Sequence, residues 1–227
     1  MAFLPEPETF KRIVDGTAGG VAAASARVAL AGLSLPYGLA IAARNAAYDS
    51  GVLQIHAGPI PVVSVGNLTL GGTGKTPLVA WVARRLRDRG LRPAIVSRGY
   101  AARPGERSDE AAELGLLVPE AAHVMDRDRV AGVRRAAAAA AEVAILDDGF
   151  QHRRLRRDLD IVAIDATDPF GCDRLFPRGL LREPVRGIRR AGAIVLTRAT
   201  SVGEERRREI RRVVTAACGG RLEAAWM

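Results

Sequence analysis

Apolar and polar positions along the chain follow two periods. Five short apolar runs, PVVSV at 61–65, PAIVS at 93–97, VAIL at 143–146, IVAI at 161–164 and AIVLT at 193–197, are each long enough for one buried strand. Between the first two, from about Thr76 to Arg89, the residues Leu78, Val79, Val82, Ala83 and Leu86 share one face of a helix that Gly90 would end. A second helix is expected over Arg129 to Ala141, including the alanine run 136–141, and the polar stretch holding Pro104, Gly105 and Ser108 reads as a loop. Strands apolar on both faces, alternating with amphipathic helices, predict an α/β domain built on a parallel sheet covered by helices. No internal repeat is visible.

The N-terminal quarter has a different texture. Residues 1–16 read as a polar leader and 17–50 as helical and unusually apolar. The stretch LAGLSLPYGLAIAA, 30–43, is interrupted by Pro36 and bracketed by Arg27 and Arg44, which leaves it short of the roughly 20 apolar residues of a membrane span. Glu6, Glu8 and Asp15 stand where a signal peptide would carry basic residues. Two readings stay open: a pair of helices packed on the domain, or an interfacial helix hairpin on a membrane surface. Either way the chain divides into an N-terminal helical segment, 1–50, and an α/β domain, 51–227.

Composition narrows the class. With 48% hydrophobic and 26% charged residues in 227, the chain is a folded domain of ordinary size rather than a disordered one. Cys172 and Cys218 match no metal spacing and make no disulfide framework. The net charge of +9 gathers toward the C-terminus, where residues 151–227 hold 17 basic and 10 acidic side chains. Clusters such as Arg153, Arg154, Arg156 and Arg157 suit phosphates or an anionic lipid surface, or form a solvated arginine face. Only ten aromatic residues occur, too few for a base-stacking set, so no nucleic-acid partner is expected.

Lysine appears twice, as Lys11 and Lys75. Lys75 falls in NLTLGGTGKTPL, 67–78, directly after the first apolar run. The pattern G-x-x-x-x-G-K-[ST] is matched by Gly74, Lys75 and Thr76, with Thr69 in the leading position. Gly71, Gly72 and Gly74 open backbone N–H groups to an anion at a helix N-terminus, which points to a P-loop NTPase-type fold. In that reading Thr69, Leu70, Gly71, Gly72, Thr73, Gly74, Lys75 and Thr76 hold the phosphates of ATP. Lys75 reaches the β- and γ-phosphates and Thr76 ligates magnesium. A second constellation, AILDDGFQHRRLRRDLDI at 144–161, brings Asp147 and Asp148 to the carboxyl edge of the sheet, where two adjacent acids call for a cation such as Mg²⁺. Gln151 and His152 follow within reach of a phosphate or a carboxylate. A dimerising P-loop ATPase would carry lysine before the double glycine, where this chain has Leu70.

SVGNLTLGGTGKTPL, SRGY, LDDGFQHRRLRRDLDI and RLFPRGLLREP together resemble the tetraacyldisaccharide 4′-kinase family, from about Leu35 to Thr197, and LPYGLAIAARNAAYDSG is similar to that family's opening. The resemblance implies phosphorylation, by ATP and magnesium, of the 4′-hydroxyl of a membrane-embedded acylated disaccharide in lipid A biosynthesis. It also implies a peripheral location on the anionic cytoplasmic face of the inner membrane. It assigns magnesium-linked roles to Asp147 and Asp148, and supporting roles to His152, Arg182 and Glu183. The family's Gly-Asp-Glu-Pro phrase corresponds to Ser108-Asp109-Glu110-Ala111, which makes Asp109 the acceptor of the sugar hydroxyl's proton, with Glu110 and Arg129 beside it. Two departures stand out. The stretch between SRGY and the acidic phrase is short, and family members continue into a second lobe whose histidine partners the catalytic acid, whereas this sequence has only His56, His123 and His152. The expectation is therefore a complete ATP site with an incomplete acceptor half. The alternative is a nucleotide-binding P-loop protein, truncated or degenerate, that lacks lipid kinase turnover.

Overall fold

The computed structural model describes residues 7–99 and 109–219, with backbone alone for residues 7 and 109–111. Six strands form one all-parallel sheet in the order β3-β2-β4-β1-β5-β6: β1 Val62–Asn67, β2 Pro93–Ser97, β3 Ala122–Met125, β4 Val143–Asp147, β5 Leu159–Asp165 and β6 Ala193–Thr197. The helices are α1 Pro7–Val14, α2 Gly20–Asp49, α3 Lys75–Arg87, α4 Asp109–Leu117, α5 Arg129–Ala138 and α6 Glu204–Cys218. This is the α/β parallel-sheet architecture that the apolar runs predict, with a long apolar helix ahead of it.

Alternation along each strand sorts the core into two sides. Val65, Ile95, Ile145, Ile161 and Val195 pack with Leu78, Val79 and Val82 of α3 and Leu114 of α4. Their neighbours point the other way: Ala94, Val96, Ala144 and Leu146 meet Val130 and Val133 of α5, while Val162, Ile164, Ile194 and Leu196 meet Ile210, Val214 and Cys218 of α6. The central strands β1 and β4 lie side by side, Val65 opposite Asp147, so the glycine turn after β1 and the acids after β4 leave the sheet at one edge.

Several expectations are corrected. Residues 7–14 are helical rather than a polar leader, and Val14 is buried. Pro36 does not divide the apolar segment: α2 runs unbroken for 30 residues. The proline lies on the exposed side, and the opposite face is pinned by Ser34 Oγ donating to the Leu30 and Leu175 carbonyls and by Tyr37 Oη donating to the Arg182 carbonyl at 2.7 Å. That docking holds the helix through a position where a proline normally costs about 3 kcal/mol. The polar stretch with Pro104, Gly105 and Ser108 lies outside the described residues; after it come α4 and the edge strand β3, neither of which the pattern assigned, the sequence AHVM of β3 being too short to show a period. Helix α6 was masked by its charge, although Ile210, Val214 and Cys218 recur every four residues.

The arginine cluster after β4 splits in two. Arg153 is buried, donates to Asp49 at 2.6 Å and to the Asn45 carbonyl at 3.0 Å, and stacks over the Tyr48 ring. Arg157 pairs with Asp160 at 3.0 Å. These two staple α2 and the β5 approach to the sheet, while Arg154 is exposed beside Asp128.

β1 leaves no room at its end: a Cβ on Gly66 would lie 2.6 Å from Phe150 Cβ and 2.8 Å from Phe150 N. Gly66→Ala should destabilise the fold by about 1–3 kcal/mol, as overpacking does. Urea denaturation should show the midpoint falling at unchanged slope, and an unaltered midpoint would contradict the close approach.

Candidate functional site

The phosphate loop is held from both ends. Thr69 bridges Leu181, Leu70 N donates to the Leu180 carbonyl at 2.7 Å, and Thr197 Oγ1 donates to the Thr73 carbonyl at 2.8 Å. Gly71 and Gly74 adopt left-handed φ of 109° and 75°, the conformations that glycine accepts most readily. Gly74 caps α3, so the first turn of that 13-residue helix opens on the loop. A Cβ on Gly72 would meet nothing within 4 Å, and the Thr73 hydroxyl is buried without a hydrogen-bond partner. An open cradle with an orphan donor is what a bound phosphate chain requires. Thr76 is half-buried in the first turn of α3.

Three charges meet beside it. Lys75 Nζ lies 3.4 Å from Asp148 and 3.2 Å from Asn67 Oδ1, and Arg182 donates to both Asp148 carboxylate oxygens at 2.8 and 2.7 Å. Asp148 holds a left-handed φ of 54° that turns it back toward the loop. Burial pushes its carboxyl pKa upward, but the Lys75 and Arg182 charges outweigh that and keep it below the ordinary carboxylate range. Asp147, at the end of β4, is buried, and its carbonyl accepts from Arg129 at 3.2 Å. Burial draws the Arg129 pKa down while the Asp147 and Asp148 carboxylates draw it back.

The structure thus brings Thr69 to Thr76, Asp147, Asp148, Arg129 and Arg182 together at one sheet edge. Glu183 sits deeper: it is buried and clamped by Arg190 at 2.8 Å and Gln151 at 3.0 Å, which suits a positioning role. The backbone of Asp109 and Glu110 opens α4, and their side chains lie outside the described residues, as do Tyr100 and Ser108. Among the described residues no three His, Cys, Asp or Glu side chains form a metal cluster. Two carboxylates and a hydroxyl nevertheless fit Mg²⁺, which takes few protein ligands when phosphates supply the rest.

Sequence reasoning missed Asn67. Its Nδ2 donates to the Thr69 carbonyl at 2.7 Å, its Oδ1 accepts from Lys75, and its own carbonyl accepts from Gln151 at 2.8 Å. A polar residue closing an apolar strand just before the glycines was the available signal. Arg198 was missed too: it pairs with Asp165 and donates to the Gly72 carbonyl at 3.0 Å.

An open parallel sheet with a glycine loop, a lysine and paired acids at its carboxyl edge defines a nucleotide-binding protein of the P-loop class. The sequence model of the tetraacyldisaccharide-1-P 4′-kinase (LpxK) family matches residues 26–225, and the chain belongs to that family. Tetraacyldisaccharide 4′-kinases of Chlorobium luteolum and Geobacter metallireducens are 47% and 44% identical over 74% and 75% of this chain. The chain spans about half the length of these curated relatives, 53% and 56%. A crystal structure of LpxK from Aquifex aeolicus in complex with ATP superposes with a TM-score of 0.69 at 41% identity, covering 77% of this chain and 59% of that one.

Among the described residues no hydrogen bond joins the His152 side chain to this charge cluster, and its Nε2 is buried without a partner. Burial, with the charges of Arg129, Arg157 and Arg44 against a weaker pull from Asp128, lowers its pKa from 6.5 to about 4. The folded state therefore holds a neutral imidazole while the unfolded chain protonates below 6.5. The stabilisation is complete above pH 6.5 and is lost as pH falls toward 4. Melting temperature should drop across pH 6.5 to 4, and His152→Asn should flatten that slope; an identical profile in the variant would refute the assignment.

Proposed function

We propose that the chain carries the nucleotide half of an ATP-dependent kinase that transfers the γ-phosphate to the 4′-hydroxyl of a tetraacyldisaccharide 1-phosphate in lipid A biosynthesis. The observation that carries this reading is the Lys75–Asp148–Arg182 cluster beside an open phosphate loop, within a chain that belongs to the 4′-kinase family. In the resting site Lys75 rests on Asp148 and Asn67. On ATP binding its ammonium exchanges these partners for the β- and γ-phosphate oxygens, while the loop amides and the α3 N-terminus hold the remaining charge. Asp147, Asp148 and Thr76 would hold Mg²⁺, which when bound neutralises charge on the β- and γ-phosphates. Arg182 keeps Asp148 aimed at the loop, and Arg129 braces the Asp147 backbone.

The sugar hydroxyl oxygen forms a bond to the γ-phosphorus as the bond to the β–γ bridging oxygen breaks. The hydroxyl proton passes to the carboxylate assigned to Asp109, with Glu110 alongside. Lys75→Ala removes a part-exposed loop charge and no core volume, so the variant should fold normally. Its transfer from radiolabelled ATP to the acylated disaccharide, read by thin-layer chromatography, should fall by roughly 10² to 10³-fold. Unchanged turnover in a folded variant would overturn the kinase reading, and hydrolysis of ATP with no transfer by the parent would favour a nucleotide-binding protein without lipid kinase turnover.

The acceptor's acyl chains place the reaction at a bilayer, and α2 supports a peripheral location on the anionic cytoplasmic face of the inner membrane. This helix is long and apolar enough to cross a membrane by length and composition. One face is nevertheless docked, with Tyr37, Arg44 and Asn45 bonded to the domain, which favours a helix lying in the interface. Tyr37 and Ile41 are half-buried, and the exposed large apolar side chains of α2 are Val21, Val28, Leu33, Leu35 and Leu39. Replacing Val28, Leu35 and Leu39 by Ser should lower partition into anionic liposomes by roughly tenfold per residue in a flotation assay, since burying such a side chain contributes about 1.5 kcal/mol or more. Equal flotation of variant and parent would remove α2 from the membrane contact.

A further inference from the structure

A cavity of about 660 Å³ opens on the outer flank of the phosphate loop, away from the Lys75–Asp148 side. Loop residues 69–73 form one wall, and Asp165, Thr167, Asp168 and Arg198, from beyond the ends of β5 and β6, form another. The remaining side is apolar at Phe176, Leu180 and Phe10 of α1, with Lys11 of the same helix beside them. Helix α1 precedes residue 26, where the family match begins.

Helix α1 is fixed where it stands. Arg178 donates to the Val14 carbonyl at 2.9 Å, Val14 is buried, and the Phe10 ring lies 6.2 Å from Phe176, whose own ring meets Tyr37 of α2 edge-on at 5.7 Å. The opposite wall is equally rigid, because Arg198 ties the Asp165 carboxylate to the Gly72 carbonyl, and Asp165 also accepts from the Thr167 amide and hydroxyl at 2.9 and 2.7 Å. Thr73 lines the cavity and holds the buried hydroxyl that no protein group satisfies. Lys11 has no carboxylate within ion-pair distance among the described residues.

We propose that helix α1 closes the nucleoside end of the nucleotide site, with Phe10 and Phe176 forming an apolar wall for the base and ribose of a nucleoside triphosphate whose phosphates lie in the glycine loop. This rests on the nucleotide reading of the loop and deepens it. The cavity adjoins the loop, its size falls within the 300–1,000 Å³ of small-molecule sites, and its lining combines an apolar body with a few fixed polar groups, which is the composition a nucleoside needs. Phosphate contacts alone cannot tell one nucleotide from another. A wall beyond the loop can, and here that wall is built by the segment next to the membrane-facing helix.

The test separates nucleoside from phosphate binding. Calorimetry on the 227-residue chain with magnesium compares a non-hydrolysable ATP analogue with inorganic tripolyphosphate. Phe10→Ala should weaken the ATP analogue roughly tenfold, the effect of losing one aromatic contact to a base, and leave tripolyphosphate within about twofold. Phe10→Leu should restore most of the loss. In parallel, 8-azido-ATP irradiated with the unmodified chain should label the peptide that contains Phe10 and Lys11, a readout that does not depend on any variant folding. Equal weakening of both ligands, unchanged ATP affinity, or label confined to other peptides would overturn the role of α1 while leaving the loop assignment intact. Failure of the unmodified chain to bind either ligand would overturn the nucleotide reading and this inference with it.

Discussion

Asp148 carries a negative charge that two cations must share, and the arrangement of the site follows from that requirement. Lys75 comes from the loop after β1, Asp148 from the turn after β4, and Arg182 from the segment that bridges Thr69. Three stretches far apart in sequence are thereby drawn to one edge of the sheet. The cluster is part-exposed, so its net contribution to stability is modest. Its worth lies in holding the Lys75 ammonium close to the loop. The Arg182 carbonyl then accepts the Tyr37 hydroxyl, which extends the same cluster to the helix proposed to touch the membrane.

Arginine is used here as mortar as much as surface charge. Arg153 and Arg157 are buried and paired, Arg190 clamps Glu183 while stacking over Phe150, and Arg178 holds α1. A planar guanidinium offers several donors in a fixed fork and tolerates an aromatic face, so it can join a carboxylate, a carbonyl and a ring at once. Lysine cannot do this. Its rarity leaves Lys75 and Lys11 as the compact ammonium groups, one in the phosphate loop and the other at the rim of the cavity beside it.

The sheet was legible because its strands are buried on both faces and so read as unbroken apolar runs. VAIL and AIVLT could be placed to within a residue or two. The glycine loop was legible because a lysine after three glycines has few structural uses. What escaped had weak local signals. β3 pairs on one side only and is four residues long, α6 hides three core residues among arginines and glutamates, and Pro36 advertised a break that tertiary contacts override. Asn67, Arg198 and Phe10 escaped for a different reason: their roles come from where remote segments meet, which no periodicity records. The family resemblance pointed to Asp148 and Arg182, which the structure pairs, but it could not say that Glu183 is buried against Arg190 and Gln151.

Helix α2 has two partners to satisfy, and its sequence shows how. Its inner face carries the hydrogen-bonding groups, Ser34, Tyr37, Arg44 and Asn45, each with a protein partner, whereas its outer face between residues 20 and 48 exposes only alanine, glycine, valine, leucine, proline and one serine. A helix serving only the fold would invert that order, with polar groups outward and apolar ones inward. The inversion is costly in water and favourable against lipid. Because Tyr37 on the inner face meets the Arg182 carbonyl and the Phe176 ring, the same helix that would feel the bilayer also touches the charge cluster and the wall of the cavity beside the loop. Any displacement of α2 by lipid would act on those two contacts first.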